Sequence, residues 1–435
     1  MLLGKFALLP LVVSMGMASS RHPSAAEFNL FCRILGKAND MMYGSNYVYN
    51  ENVDRAIMRE MEELYNTTTG NMNDFGEMLW KTKDFLTGHP PPTDPKNREE
   101  AHREIGKLIK DGEKKIEGTK KVAEEVNQKI EEAKLSVAKG LYGEHVTEVP
   151  KDDKNLTEIL GNKGGVFVDE GSAKESCGND STKRAGKTLI NDLFCVCAGV
   201  GDNAEGPCHP KIWPPKSWGG CTNHNCCKKG CWTQIKLGLS KDTPQLVPSF
   251  NESFQKIEHV CREEMIKRNV KPKNMDALLR EYLWMIEMGD KKTDKTKKIF
   301  GHSERNKGGQ NVNHVKECTG EKGEWGYNDP EKHNNKICVD YTKNQNEDGK
   351  TYNITWHEKF KNYTKIMLEA KKIEERILKN HAALLLLKSQ AWVAYSREKD
   401  DETSNLDDMN MSNLFDGTKI PFSFPFLFPY LFMIF

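Results

Sequence analysis

The sequence predicts a mainly α protein: an elongated antiparallel helical hairpin or bundle that carries a disulfide-rich irregular lobe and long surface loops. Three observations lead there. Two apolar stripes in steps of three and four flank a proline-rich turn, a third such stripe comes late in the chain, and cysteines cluster between them among Gly, Pro and Trp.

The first stripe runs through Ile57, Met61, Leu64, Thr68, Met72, Phe75, Leu79, Thr82 and Leu86, predicting a helix over about 53–86. Threonines and glycine in "NTTTG" (Asn66 to Gly70) are poor helix formers and predict a local break there. "TGHPPPTDP" then supplies a stop and a turn. The second stripe, Ala101, Ile105, Leu108, Gly112, Ile116, Thr119, Val122, Val126, Ile130, Ala133 and Val137, predicts a helix over about 97–139. At 1.5 Å per residue it would reach about 60 Å, which calls for a coiled-coil-like partner, and the upstream helix is that partner. The third stripe, Trp356, Phe360, Tyr363, Met367, Ala370, Ile377, Leu384, Leu387, Ala391 and Ala394, predicts a helix over about 355–398. "LLLL" at Leu384 to Leu387 is broader than a two-helix seam and suggests cover on more than one side.

Between hairpin and late helix the pattern changes. Residues 141–186 are rich in Gly, Lys and Asp, with "GGVFV" as a short strand candidate. A cysteine-rich lobe spans 177–261, with Trp213, Trp218 and Trp232 expected to form the small core that its disulfides surround. Shorter helices are expected at about 250–268 and 274–288, separated by Pro272. Residues 290–352 are polar and Gly-rich and read as an exposed loop closed by a disulfide.

The cysteines number 12: Cys32, Cys177, Cys195, Cys197, Cys208, Cys221, Cys226, Cys227, Cys231, Cys261, Cys318 and Cys338. An even number lying between two processing signals fits a fully oxidised secreted protein. Zinc competes, helped by His209 and His224, but "CVC" and "CC" lack the C-x2-C pairs that zinc favours, so disulfides are the stronger reading and their pairing stays open.

The two signals are at the ends. "MLLGKFALLPLVVSMGMASS" has Lys5 before an apolar run and small residues Gly16 and Ala18, so 1–18 reads as a signal peptide cut after Ala18, with Ser20 as second choice. "PFSFPFLFPYLFMIF" is apolar, but Pro421, Pro425 and Pro429 forbid a core helix and the run is short for a spanning one. Small residues and a polar spacer precede it. That order marks 413–435 as a glycosylphosphatidylinositol (GPI) attachment signal, with Asn410, Ser412, Asn413 and Asp416 as attachment candidates. The ectodomain would span 19–399 and a charged linker 400–412. N-glycosylation candidates are Asn66, Asn155, Asn179, Asn251, Asn353, Asn362 and Asn410, against about three sequons expected by chance.

Charge and motifs exclude several classes. With 64 Lys+Arg against 63 Asp+Glu the net charge is +1, which offers no footprint for nucleic acid. "AGKT" (Ala185 to Thr188) ends like a phosphate-binding loop, yet Ser181 stands where that loop needs glycine. Hydrolase, zinc-protease and calcium-loop patterns are absent, so no catalytic, metal or cofactor residues are assigned and no enzyme is expected.

Taken together, the signal, the hairpin, "NDLFCVC" (Asn191 to Cys197), the cysteine-rich lobe, the late helix and the apolar tail resemble a trypanosome variant surface glycoprotein, in particular the B-type N-terminal domain. D-x-x-C-x-C (Asp192, Cys195, Cys197) is the compact motif; the rest of the likeness, over nearly the whole chain, is architectural. Many members carry a separate cysteine-rich C-terminal domain, whereas here no cysteine follows Cys338, so one structural domain plus a linker is expected. The resemblance implies a homodimer on the plasma membrane, held by a GPI anchor, that shields other surface proteins from host antibodies and varies antigenically. A GPI-anchored nutrient receptor of the transferrin type is the alternative on the same scaffold, with a binding surface in the loops of 141–186 or 290–352.

Overall fold

The computed structural model describes residues 22–70, 83–179, 183–199, 206–215, 231–238, 245–268, 274–288, 298–303, 317–320 and 336–397. Its principal helices are α1 (Ala25–Met42), α2 (Glu51–Thr67), α3 (Pro95–Tyr142), α4 (Asp153–Gly161), α5 (Leu189–Cys197), α6 (Phe250–Arg268), α7 (Met275–Met288) and α8 (Thr355–Ser396). Strands are short: β1 (Ile212–Trp213), β2 (Lys236–Leu237) and β3 (Gln245–Leu246) form one antiparallel sheet in that order, and β4 (Ile299–Phe300) pairs antiparallel with β5 (Val339–Asp340). The described residues fall into two compact units, one from those within 22–43 and 134–363 and one from those within 44–133 and 364–397.

The second unit is helical. Ile57, Met58, Met61 and Leu64 of α2 meet Ala101, Ile105 and Ile116 of α3 and Leu384, Ala391, Ala394 and Tyr395 of α8 in one core. Steps of three and four on each helix put these residues on facing stripes. Gly112 permits the close approach, since a methyl group there would collide with the Met58 thioether. Local chemistry sets the ends: Asp94 caps α3 by accepting from Lys96 N at 2.7 Å, just ahead of Pro95, whose missing N–H costs nothing at a first helical position. At the end of α2, the Thr67 and Thr68 hydroxyls donate back to Leu64 O (2.9 Å) and Tyr65 O (2.8 Å). The helix therefore stops within the expected weak stretch. Residues 83–88 are again helical, while 71–82 of the expected 53–86 helix lie outside the described residues.

Polar bonds tie the same three helices. Asp54, 2% exposed, accepts from the Tyr49 hydroxyl (2.5 Å) and pairs with His381 Nδ1 (2.6 Å). Glu60 receives Trp392 Nε1 (2.7 Å) and Lys388 Nζ (3.2 Å), and Asn380 donates to Thr119 Oγ1 (3.1 Å). Of the four leucines, Leu384 is buried and Leu387 partly so, but Leu385 and Leu386 are each 38% exposed. Within one chain α8 is covered on one side there, not on several.

In the other unit α1 packs against α5, α6 and α7. Two aromatic groups fill it. Phe167, Phe194, Phe250 and Trp232 meet edge to face with centroids 4.7 to 5.8 Å apart. Tyr282 stacks on Phe300 at 4.0 Å and meets Trp356 edge-on at 4.8 Å. Trp232 and Trp213 are buried, as expected of a lobe core, and Trp218 lies outside the described residues.

Two local expectations are corrected. "GGVFV" is not a strand: Lys163–Val166 is a single helical turn capped by Asn162, whose side chain accepts from Gly165 N at 2.9 Å. Capping outweighs the β preference of so short a run. Nor is 290–352 simply exposed loop, since Ile299, Phe300, Ile337, Val339 and Tyr341 are buried. "ICVDY" (Ile337 to Tyr341) alternates with period two, and its β5 segment pairs with β4.

Candidate functional site

The D-x-x-C-x-C motif organises the disulfide-bearing unit. Thr188 opens α5 by accepting from Asn191 N at 3.0 Å, and its hydroxyl donates to Val166 O at 2.9 Å. Every residue of α5 is buried. Positions two apart on a helix point about 200° apart, so Cys195 and Cys197 cannot serve one partner. Cys195 bonds Cys177 on one side and Cys197 bonds Cys208 on the other. Cys32 of α1 is joined to Cys261 of α6, and Cys318 to Cys338. Cys231 begins a short 3-10 turn, while Cys221, Cys226, Cys227 and His224 lie outside the described residues. Cys208 is thus not free to join His209 on zinc. His209 instead accepts from Lys211 N through Nδ1 (3.1 Å) and approaches Glu264 through Nε2 (3.5 Å). Among the described residues no cluster of His, Cys, Asp and Glu could hold a metal.

Asp192, on the same face of α5 as Cys195, is the polar centre. Its Oδ1 accepts from Gly186 N (3.1 Å) and Asn191 Nδ2 (2.9 Å); its Oδ2 accepts from Trp356 Nε1 (2.6 Å) and from the Tyr341 hydroxyl. Tyr341, whose hydroxyl hydrogen is engaged with the carboxylate, accepts from the Tyr282 hydroxyl at 2.7 Å. Asp192, Tyr282, Tyr341 and Trp356 are all 0% exposed. Burial raises the Asp192 carboxyl, its hydrogen-bond donors oppose that rise, and the balance leaves it pushed up to about 6. It is therefore ionised at neutral pH, with four donors to match its lone pairs. Burial and the nearby carboxylate raise both tyrosine hydroxyls well above their ordinary range.

"AGKT" is absorbed by this centre. Gly186 has φ +83°, where a Cβ would press on Ile354, and it supplies an N–H to Asp192. Lys187 donates to Gly164 O (2.6 Å) and Phe167 O (2.9 Å), and burial lowers its ammonium pKa. Asp192, Tyr282, Tyr341 and Trp356 are closed upon one another, with Lys187 half-exposed at their edge. The arrangement holds four chain segments together.

Sequence reasoning placed Asp192 and the cysteines but missed Tyr341, Trp356 and Tyr282 as partners. The signal for Tyr341 was the alternation in "ICVDY"; Trp356 was read only as a member of an apolar stripe. The sequons are spread out: Asn66 on α2, Asn155 on α4, Asn179 after Gly178, Asn251 on α6, Asn353 ahead of α8 and Asn362 on it. Asn410 and the attachment candidates Ser412, Asn413 and Asp416 lie outside the described residues, as do residues 1–18 and 400–435. No described helix is long and apolar enough to cross a membrane.

Among curated proteins none matches the chain. The sequence profile of the trypanosomal VSG domain, B type, matches residues 59–384, from α2 through the disulfide-bearing unit into α8. That span includes Asp192, its four donors and the cysteines of the lobe, and on it the chain belongs to the trypanosomal VSG domain family.

Proposed function

We propose that the chain is a GPI-anchored variant coat glycoprotein, which shields the parasite plasma membrane and gives antigenic variation against host antibodies. The observation that carries this is the family match over residues 59–384, since that family is one of surface coat proteins. In this reading residues 1–18 direct secretion and are removed, 413–435 are exchanged for the lipid at Asn410, Ser412, Asn413 or Asp416, and 400–412 tether the ectodomain. The four disulfides among the described residues support a secretory route. The mature protein acts as a homodimer; exposed Leu378, Leu385 and Leu386 on α8 support this, because they form an apolar strip that one chain leaves uncovered. In this reading its role is physical cover rather than catalysis.

Treatment of intact native cells with a phosphatidylinositol-specific phospholipase tests the proposal. The polypeptide is expected to dominate the released protein. Release as a trace component would favour the receptor alternative, and no release at all would overturn the anchor.

A further inference from the structure

We propose that Asn353 and Asn362 carry N-linked oligosaccharides, and that Asn155, Asn179 and Asn251 stay bare. This rests on the secretory reading above, because the modification needs a chain delivered to the oligosaccharide-transfer machinery. The sequence makes all of these equal, since each begins an N-x-S/T triplet without proline. The structure separates them.

Transfer joins Asn Nδ2 to the anomeric carbon of a sugar carried on a polyisoprenyl pyrophosphate. An N–C bond forms, the C–O bond to the pyrophosphate breaks, the lipid pyrophosphate leaves, and one Nδ2 proton passes to a base. The product keeps one N–H and acquires a large hydrated group that must reach solvent in the folded protein. Asn353 meets that requirement. It is exposed, its side chain makes no hydrogen bond among the described residues, and its backbone alone is engaged, with N donating to Asn344 O (2.7 Å) and O accepting from Asn344 Nδ2 (2.8 Å). The backbone is fixed while the amide points free, flanked by buried Ile354 and exposed Thr355. Asn362 lies on the solvent face of α8, between buried Phe360 and Tyr363. Its Nδ2 donates to Ser136 Oγ at 3.4 Å, and the N–H that survives transfer can keep that bond.

The other three are half-buried, whereas Asn353 and Asn362 are exposed. Asn155 turns its Oδ1 into a buried position. The Asn251 amide donates to Thr157 O at 3.3 Å, with the acceptor triplet's Ser253 fully buried. The Asn179 side chain hydrogen-bonds Glu317, next to the Cys318–Cys338 bridge. A sugar at any of them would have to force a half-buried amide outward.

The full chain isolated from native cells should be treated with a peptide-N-glycosidase in heavy-oxygen water, which converts each modified Asn to a labelled Asp, and peptides read by mass spectrometry. Label is expected at positions 353 and 362 and not at 155, 179 or 251. In a secretory host, Asn353→Gln and Asn362→Gln should each remove one glycan's mass while the chain remains exported. Label at 155, 179 or 251, or its absence from 353 or 362, would overturn the proposal. Free-thiol alkylation without reduction tells two failures apart. Oxidised cysteines with bare 353 and 362 sink this inference alone, whereas freely alkylated cysteines with no label anywhere sink the secretory reading with it.

Discussion

In the helical unit the side chains that make the core are spaced by threes and fours along three stripes; in the disulfide-bearing unit the Gly186 N–H and the side chains of Asn191, Tyr341 and Trp356 converge on Asp192. The first core repeats one device, so losing any one contact leaves its neighbours in register. The second concentrates four donors on one buried carboxylate and carries four disulfides among its described residues. Repetition spreads stability over many small contributions. Convergence puts much of it at one point, where a single change strands several buried groups at once.

Removing the acceptor is the most severe way to test that difference. Asp192→Ala leaves the Gly186 N–H, the Asn191 amide, the Tyr341 hydroxyl and the Trp356 indole without their partner in a site closed to water. Each unsatisfied buried group costs about 1–3 kcal/mol, and with partial relaxation the loss should reach about 4 kcal/mol or more. Denaturant unfolding with the disulfides intact measures it. Amide exchange should quicken first in α5, and a loss below about 1 kcal/mol would mean that the disulfides hold this unit without the carboxylate.

The units also differ in how much of them could be read beforehand. The helical stripes were legible because a helix advertises its buried face every turn: Ile57, Met61 and Leu64 are in the core where the rhythm put them. Even the weak point at "NTTTG" was visible in its threonines. The partners of Asp192 were not legible, because Asp192 and Tyr341 are separated by 149 residues and no local pattern couples them. Residues 290–352 look like loop by composition, yet a short alternating stretch there supplies Tyr341. Composition averages over a window, whereas burial is decided residue by residue. Disulfide pairing was hidden for the same reason, although the helical placement of "CVC" would have ruled out a bond between Cys195 and Cys197.

Acidity offers a milder probe of the same centre. The Asp192 carboxyl sits at about 6 in the folded chain against an ordinary 3.8, so between those values the native state holds a proton that the unfolded chain has released. Stability from this group is therefore fully present below about pH 3.8 and is lost as pH rises through about 6, a fall of about 3 kcal/mol. This does not contradict the effect of Asp192→Ala. Ionising a buried carboxyl is costly, but deleting it abandons four donors. Unfolding free energies of the natural chain and Asp192→Asn, compared from pH 4 to pH 7, should diverge by that amount in that direction. Parallel curves would mean that the donors fully offset burial and that the centre is electrostatically neutral to pH.

The smallest effect is expected on the surface of the helical unit. Arg55 reaches Glu51 at 2.9 Å and Glu113 at 2.6 Å, and Lys120 adds a contact to Glu51 at 3.0 Å, so the geometry looks like a strong network between α2 and α3. The Arg55, Glu51 and Glu113 side chains are nevertheless 35%, 33% and 44% exposed. Water and salt screen such pairs, and ordering long side chains opposes the attraction, so Arg55→Ala should cost below about 1 kcal/mol and less still as ionic strength rises. Thermal unfolding at low and high salt checks both statements. A loss above about 2 kcal/mol that survives salt would place an anchor point of the Asp192 kind on the outside of α2 and α3, and the contrast between a repeated core and a convergent one would no longer separate the two units.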